Sequence, residues 1–333
     1  MILTEGQDRA IILSAVLFPS KWEGNMKRLG NAIEEWMVNY KSTSVKPATY
    51  DRLCESLIQL NKYGISDVPI DELTVDEIQS YINELVASGY ALTTIKKQFH
   101  LISEYVSYAN LNGIILRPLY KGVKLPSESV VKKHKRRVIA YDREEQRRLT
   151  DILFQRLHIP ACCAALLMME TGIRIGEAMA LTWDDVDWNR RCLRISKTVV
   201  RLRDCKRNHV QYSAKSFSSN RTIPLSRNAY DLLRHMSEED SGSIYGYVFR
   251  GRNGKYMSYE AARCHIQKAC EDAGVPYYGQ HVFRHTFATN CYNKGCDVKV
   301  LSKFLGHSDV TVTYNTYIHL FGDGLEEMRA VLD

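Results

Sequence analysis

The chain has 333 residues, enough for two domains that each bury a core. Its 45% hydrophobic and 25% charged residues suit a soluble globular protein. The early apolar run 10–18 is too short to span a bilayer and lacks the basic lead of a signal peptide, which excludes a membrane protein and points to the cytoplasm. Nine cysteines without a CxxC pair argue against a disulfide framework and a structural zinc site, and a net charge of +7 admits a polyanionic partner.

Residues 1–25 form an N-terminal segment. Four helical patterns follow over 26–113. The first, 26–40, has apolar residues at helical spacing. The second opens with Pro47 near its start and stops at Gly64. The third begins at Thr74, with Glu77 three residues on as a capping box requires, and closes at Gly89. The fourth is capped by Thr93 or Thr94 and stops at Gly113. Four helices with short connections predict a compact bundle.

Residues 114–141 lose the periodicity, gain Pro118 and Pro126, and carry the basic run 132–137, so they read as a linker. A second domain, 142–321, opens with a helix from Asp142 and an apolar helix from Pro160. The β-rich runs 193–200, 209–214 and 220–225 predict a small antiparallel sheet. Helices resume after Ser226, broken by a glycine turn at 251–256. The predicted fold is therefore multidomain, an all-α bundle followed by a mainly α (α+β) domain. Residues 322–333 form a C-terminal segment.

The positive charge is concentrated rather than spread. Residues 121–137 hold seven Lys and Arg against Glu128, and residues 190–227 hold eleven against Asp204. Either segment alone is most simply a solvated loop. Two together on an otherwise acidic chain predict a nucleic-acid-binding surface.

Four stretches carry chemistry. In 170–188, Arg174 lies between Ile173 and Ile175 with Glu177 three residues on. An arginine set among apolar residues must be paired or must bind an anion. In 212–225, Lys215 sits in a serine-rich loop between two strands. In 279–290, His281 and Arg284 share one helix face, with His285 next in sequence. In 305–321, Gly306 stops a helix, His307 follows, a new helix is capped by Ser308 or Asp309, and Tyr314 and Tyr317 stand three apart.

Together these residues make a reactive set. Two arginines can clamp a phosphodiester and offset transition-state charge. Histidines and a lysine can move protons, and a tyrosine can be the covalent nucleophile once cations assist it. No acidic Mg²⁺ cluster and no nucleotide-binding glycine motif is present, so the expected chemistry needs no metal and no cofactor.

The segments TGIRIGEAMALTWDDVD, KSFSSNRTIPL, HVFRHTFAT and LGHSDVTVTYNTYIH, in that order over 170–319, resemble the four signature boxes of the tyrosine recombinases, the phage-integrase family. Region 33–112 is similar to that family's core-binding domain. The resemblance implies that Arg174 and Arg284 hold the scissile phosphate. It implies that Lys215 protonates the leaving 5′-oxygen, that His281 is a general acid/base and that His307 hydrogen-bonds the phosphate. Glu177 would support the site. Tyr317 would be the nucleophile, because it stands in the Y-x-H context completed by His319.

The implied reaction is site-specific recombination through a 3′-phosphotyrosine, performed by a homotetramer on two double-stranded DNA sites. Residues 322–333 would pack on a neighbouring subunit. The RTIPL strand, the long hairpin and the ten-residue interval from His307 to Tyr317 are most like integrases of conjugative transposons and Gram-positive phages. Those integrases usually have a separate arm-binding domain, for which 1–25 is too short. Excisionase or host DNA-bending proteins are the further partners that the resemblance suggests, with the enzyme on the nucleoid. Lys96, Lys97, Lys132, Lys133 and Lys135 are the candidate DNA-backbone contacts.

Two alternatives remain open on the sequence. A type IB topoisomerase or hairpin telomere resolvase could use the same site. A helix–turn–helix over 286–318 could serve a DNA-binding regulator with no catalysis.

Overall fold

A computed structural model describes residues 27–131, 139–201, 208–212, 220–239, 246–307 and 309–317. The described residues fall into two compact units, 27–131 and 139–317. Among them no helix is long and apolar enough to cross a membrane, and all eight described cysteines are free.

The first unit is helical. Helix α1 (Leu29–Trp36) buries Leu29, Ala32, Ile33 and Trp36, one apolar stripe at helical spacing. It runs on through a π-helical turn, Met37–Lys41. Pro47, whose fixed φ suits a first turn, opens α2 (Pro47–Leu60). Thr74 caps α3 (Val75–Ala87), its hydroxyl accepting the Glu77 N–H at 3.1 Å.

Helix α4 (Leu92–Leu111) starts earlier than expected. Ala91 is its N-cap and makes no side-chain bond, so neither Thr93 nor Thr94 is the cap. The four helices share one core with Ile115 and Val131. The stretch after α4 packs on the bundle too. The Gln79 side chain donates to the Lys124 carbonyl at 3.1 Å and accepts from its N–H at 2.8 Å.

In the second unit, Asp142 and Glu145 form a reciprocal capping box at the start of α5 (Arg143–Phe154). Helix α6 (Pro160–Thr171) is apolar on every side, and residues Ala161–Met168 are all buried. Such a helix belongs at the centre of a domain. Helices α5, α8 (Arg227–Glu238), α9 (Tyr259–Asp272) and α10 (His281–Asn293) pack around it.

Strands β1 (Val186–Asp187), β2 (Cys192–Ile195) and β5 (Arg221–Pro224) form an antiparallel sheet in the order β1-β2-β5, with Leu193 opposite Val186 and Ile223. Strands β3 (Lys197–Arg201) and β4 (Asn208–Tyr212) pair separately. The run 193–200 is thus two strands divided at Ser196, and the antiparallel element is a three-stranded sheet plus a ribbon. Helix α7 (Ile175–Ala180) packs on β3, and α11 (Val298–Leu305) and α12 (Val310–Tyr317) complete the unit.

Candidate active site

Three chain reversals in the second unit meet at one place. The first joins α6 to α7 at Gly172. Its φ of +67° is left-handed, and an added Cβ would lie 2.4 Å from the Phe287 ring, so only glycine fits. The second is the start of α10, which carries His281, Arg284 and His285 within its first five residues. The third joins α11 to α12 through Gly306, also left-handed at +70°, and presents His307.

Arg284 is the centre of the arrangement. It is 3% exposed. Its Nη1 donates to the Gly172 carbonyl at 2.8 Å, and its Nη2 donates to the Leu305 carbonyl at 2.6 Å and to His307 Nε2 at 2.9 Å. One side chain therefore pins two of the three reversals. All three acceptors are neutral, so no carboxylate directly offsets the charge. Burial and Arg174 press its pKa down to about 9, which leaves it cationic at neutral pH.

Because arginine only donates, His307 Nε2 must be the acceptor in that contact. Its Nδ1–H is then free to donate to the Thr313 hydroxyl at 2.7 Å. Both contacts hold the ring in one tautomer. Burial and the cations Arg284, Arg174 and Arg221 lower its pKa to about 4, so His307 is neutral here.

Arg174 caps α7 and is partly open to solvent, with its side chain 38% exposed. Its Nη1 donates to Glu177 Oε1 at 2.9 Å, and the Glu177 carboxylate also accepts its backbone N–H. Its Nη2 lies 3.5 Å from the Gly306 carbonyl. The ion pair seen in sequence is therefore real, but Glu177 serves a second cation as well. Arg221 holds the carboxylate bidentately at 3.0 and 2.7 Å, and its Nε donates to the Phe304 carbonyl at 2.7 Å. Burial would raise the Glu177 pKa, but Arg221 and Arg174 outweigh it and hold the group at about 2. Arg174 and Arg221 share this carboxylate and Arg284 has none, so the cradle is net cationic.

Tyr317 ends α12 and is 0% exposed, packed among Ala288, Leu301 and Leu305. Its hydroxyl is 3.0 Å from His285 Nδ1. Burial raises the phenol pKa, while Arg284 and Arg174 pull it back, Arg284 partly through a hydrogen bond. Tyr314, three residues earlier on the same helix, is half exposed. His281 lies at the surface, four residues before His285 on the same face. Partial burial of its ring, with Arg284 and Arg174 nearby, lowers its pKa.

The structure thus brings Arg174, Glu177, His281, Arg284, His307 and Tyr317 into one cluster. Lys215, Lys132, Lys133, Lys135, Ser308 and His319 lie outside the described residues. Lys96 and Lys97 are on the exposed face of α4 in the first unit. Asp309 does accept the N–H of Thr311 at the start of α12. Among the described residues, no three His, Cys, Asp or Glu side chains group as metal ligands would.

Three residues of the arrangement, Arg221, His285 and Thr313, were not in the expected set. Arg221 was legible in principle, because strand alternation puts it on the inward face with Ile223, where an arginine needs an anion. His285 had a weaker signal, its spacing of four from His281. Thr313 had none.

A helical unit ahead of a mixed unit whose buried guanidiniums flank a phenol is the make-up of an enzyme that acts on a phosphodiester. The profile described as "Phage integrase family" matches residues 140–322, more than half of the chain, and the chain belongs to that family. It is 28% identical over 320 residues to a XerC-like tyrosine recombinase of Caldanaerobacter subterraneus, spanning 88% of this chain and 79% of that one. Its fold matches the Tn1549 transposon integrase bound to transposon right-end DNA, with a TM-score of 0.75 at 19% identity over 92% of this chain and all of that one. It also matches a lambda integrase tetramer bound to a Holliday junction, with a TM-score of 0.61 at 17% identity over 93% and 84% of the two chains.

Proposed function

We propose that the protein is a site-specific DNA recombinase that cleaves and rejoins DNA through a 3′-phosphotyrosine formed on Tyr317, integrating and excising a mobile element. The observation that carries this is Arg284, a buried cation whose bonds run to neutral acceptors, set beside a phenol. Such a cation lowers the energy of an anion that takes its place among those acceptors.

Arg174, with an edge open to solvent, and Arg284 hold the non-bridging oxygens of the scissile phosphate. Tyr317 attacks phosphorus and frees a 5′-hydroxyl. Lys215 protonates the leaving oxygen, and His281 acts in proton transfer. His307, now bonded to Arg284, turns to the phosphate as the guanidinium does. Glu177 keeps Arg174 oriented and does not react. The bond energy stays in the ester, so the reverse attack by a partner strand's 5′-hydroxyl needs no nucleotide.

Double-stranded DNA is the substrate, and Lys96, Lys97 and the 132–137 run contact its backbone. The enzyme works as a tetramer, the state in which the lambda integrase neighbour binds a Holliday junction; the tetramer acts on two sites, with 322–333 packed on an adjacent subunit. Excisionase or host DNA-bending proteins set the direction of the reaction, and the site of action is the bacterial nucleoid. Residues 26–113 serve as the core-binding domain and 142–321 as the catalytic domain.

The test is a supercoiled plasmid carrying two copies of the joined ends of the encoding element. A recombinase yields deletion or inversion products between the copies. Relaxed circles without exchange would make it a topoisomerase, and binding without any strand cleavage would make it a regulator.

A further inference from the structure

The cluster contains a histidine with no role in the scheme above, and it is the one on the phenol. His285 Nδ1 lies 3.0 Å from the Tyr317 hydroxyl, with the rings 5.5 Å apart at 66°. Arg284 and Arg174 lie near enough to the phenol to favour its ionised form. In the neutral imidazole tautomer that leaves Nδ1 unprotonated, Nδ1 accepts the phenol hydrogen across that distance.

The other titratable groups of the cluster are committed elsewhere. His307 accepts from Arg284 on Nε2 and meets Thr313 through Nδ1. Glu177 is held by Arg221 and Arg174. His281 lies a helical turn from His285, with the two ring centres 6.5 Å apart, and is at the surface rather than on the phenol. The groups around His285 are thus His281 and Arg284 on its own helix, His307 on the loop before α12, and Tyr317 at the end of α12.

We infer that His285 is the proton acceptor for the nucleophile. The inference rests on the reading of Tyr317 as nucleophile and adds the base that activates it. As the Tyr317 oxygen forms its bond to phosphorus, its proton passes to His285 Nδ1. The bond from phosphorus to the 5′-oxygen breaks, and that oxygen takes a proton from the general acid. In rejoining, an incoming 5′-hydroxyl attacks phosphorus and gives its proton back to the deprotonated general acid, the bond to Tyr317 breaks, and His285 returns its proton to the phenolate. The phosphodiester held by Arg174 and Arg284 supplies the negative charge that offsets the imidazolium. His281, on the same helix face and open to solvent, stands where a proton leaving His285 would reach water.

The experiment is single-turnover formation of the protein–DNA adduct on a nicked duplex bearing the crossover site, measured from pH 6 to 9.5. His285→Asn keeps a polar atom near the phenol but cannot take its proton. With a thermal midpoint and DNA mobility shift like those of the native chain, it is expected to form adduct about 10²–10⁴-fold more slowly near pH 7. Its rate should then climb about tenfold per pH unit, because the phenol must ionise unaided. The native profile should be flatter over the same range. If His285→Asn lowers the thermal midpoint, the same profile on His285→Gln replaces it. A native rate and native pH profile in the folded variant, with Tyr317→Phe inactive, would overturn the inference and leave the nucleophile in place. Adduct persisting in Tyr317→Phe would instead overturn the reading on which it rests.

Discussion

At the scale of single residues, the site is a problem of charge in low dielectric. Arg284 gives all its bonds to neutral acceptors, and Glu177 alone answers Arg174 and Arg221. Two groups consequently keep, as pH falls, forms that the unfolded chain gives up sooner. His307 has its pKa depressed to about 4 from 6.5, so the fold favours its neutral form. That stability is fully present above pH 6.5 and is lost as pH falls towards 4. Glu177, depressed to about 2 from 4.5, adds stability above pH 4.5 that is lost as pH falls towards 2. Both act in the same direction. The thermal midpoint of the second unit is expected to fall steadily from pH 7 to pH 4, and His307→Gln should flatten the upper part of that fall. A midpoint independent of pH over this range would contradict the charge assignment.

Most of these residues were legible because their chemistry is unusual for their setting. Arg174 stood between two isoleucines, and His281 and Arg284 repeated on one helix face. Tyr317 was harder. Sequence gave it an equal neighbour in Tyr314, and only the resemblance, through the Y-x-H context, separated them. Burial separates them independently: Tyr317 is 0% exposed and Tyr314 is 50% exposed. Contacts between distant segments, such as Phe304 under Arg221 or Gly172 under Arg284, have no local sequence signal, because the partners meet only when the reversals converge.

At the scale of elements, capping and period explain what could be read. Pro47, Thr74, Asp142 and Pro160 begin helices where their backbone preferences place them. The fourth helix began outside that logic, because Ala91 offers no capping oxygen and packing of Ile95, Leu101 and Ile102 decides its start instead. The division of 193–200 at Ser196 was equally hidden, since alternation of side chains does not say which strand each half will pair with.

Arg221 is the element-scale tie. It joins β5 to α7 through Glu177 and to the end of α11 through Phe304. Replacing it with methionine leaves a buried carboxylate facing Arg174 alone. The expected cost is about 3–5 kcal/mol in denaturant unfolding, as for other broken buried pairs. A loss under about 1 kcal/mol would show that the network does not hold these elements. On α4, Lys96 and Lys97 are exposed and adjacent. Lys96→Ala and Lys97→Ala are each expected to reduce the salt slope of DNA binding by about 1 and to weaken all sequences alike. An unchanged slope would remove them from the interface.

At the scale of the whole molecule, the two units carry different chemical groups. The second unit supplies the cation cradle and the phenol. The first has a helical surface on which Lys96 and Lys97 are exposed. Fold class, family and the order of the motifs were all available from sequence, because four motifs in series are far more specific than any one. The sharpest claim of the account is that Tyr317, not Tyr314, becomes covalently joined to DNA. The direct measurement is an SDS-resistant adduct on a nicked suicide duplex carrying the crossover site, compared among the native chain, Tyr317→Phe and Tyr314→Phe. The account predicts adduct with the native chain and with Tyr314→Phe and none with Tyr317→Phe; adduct of native yield from Tyr317→Phe would contradict it.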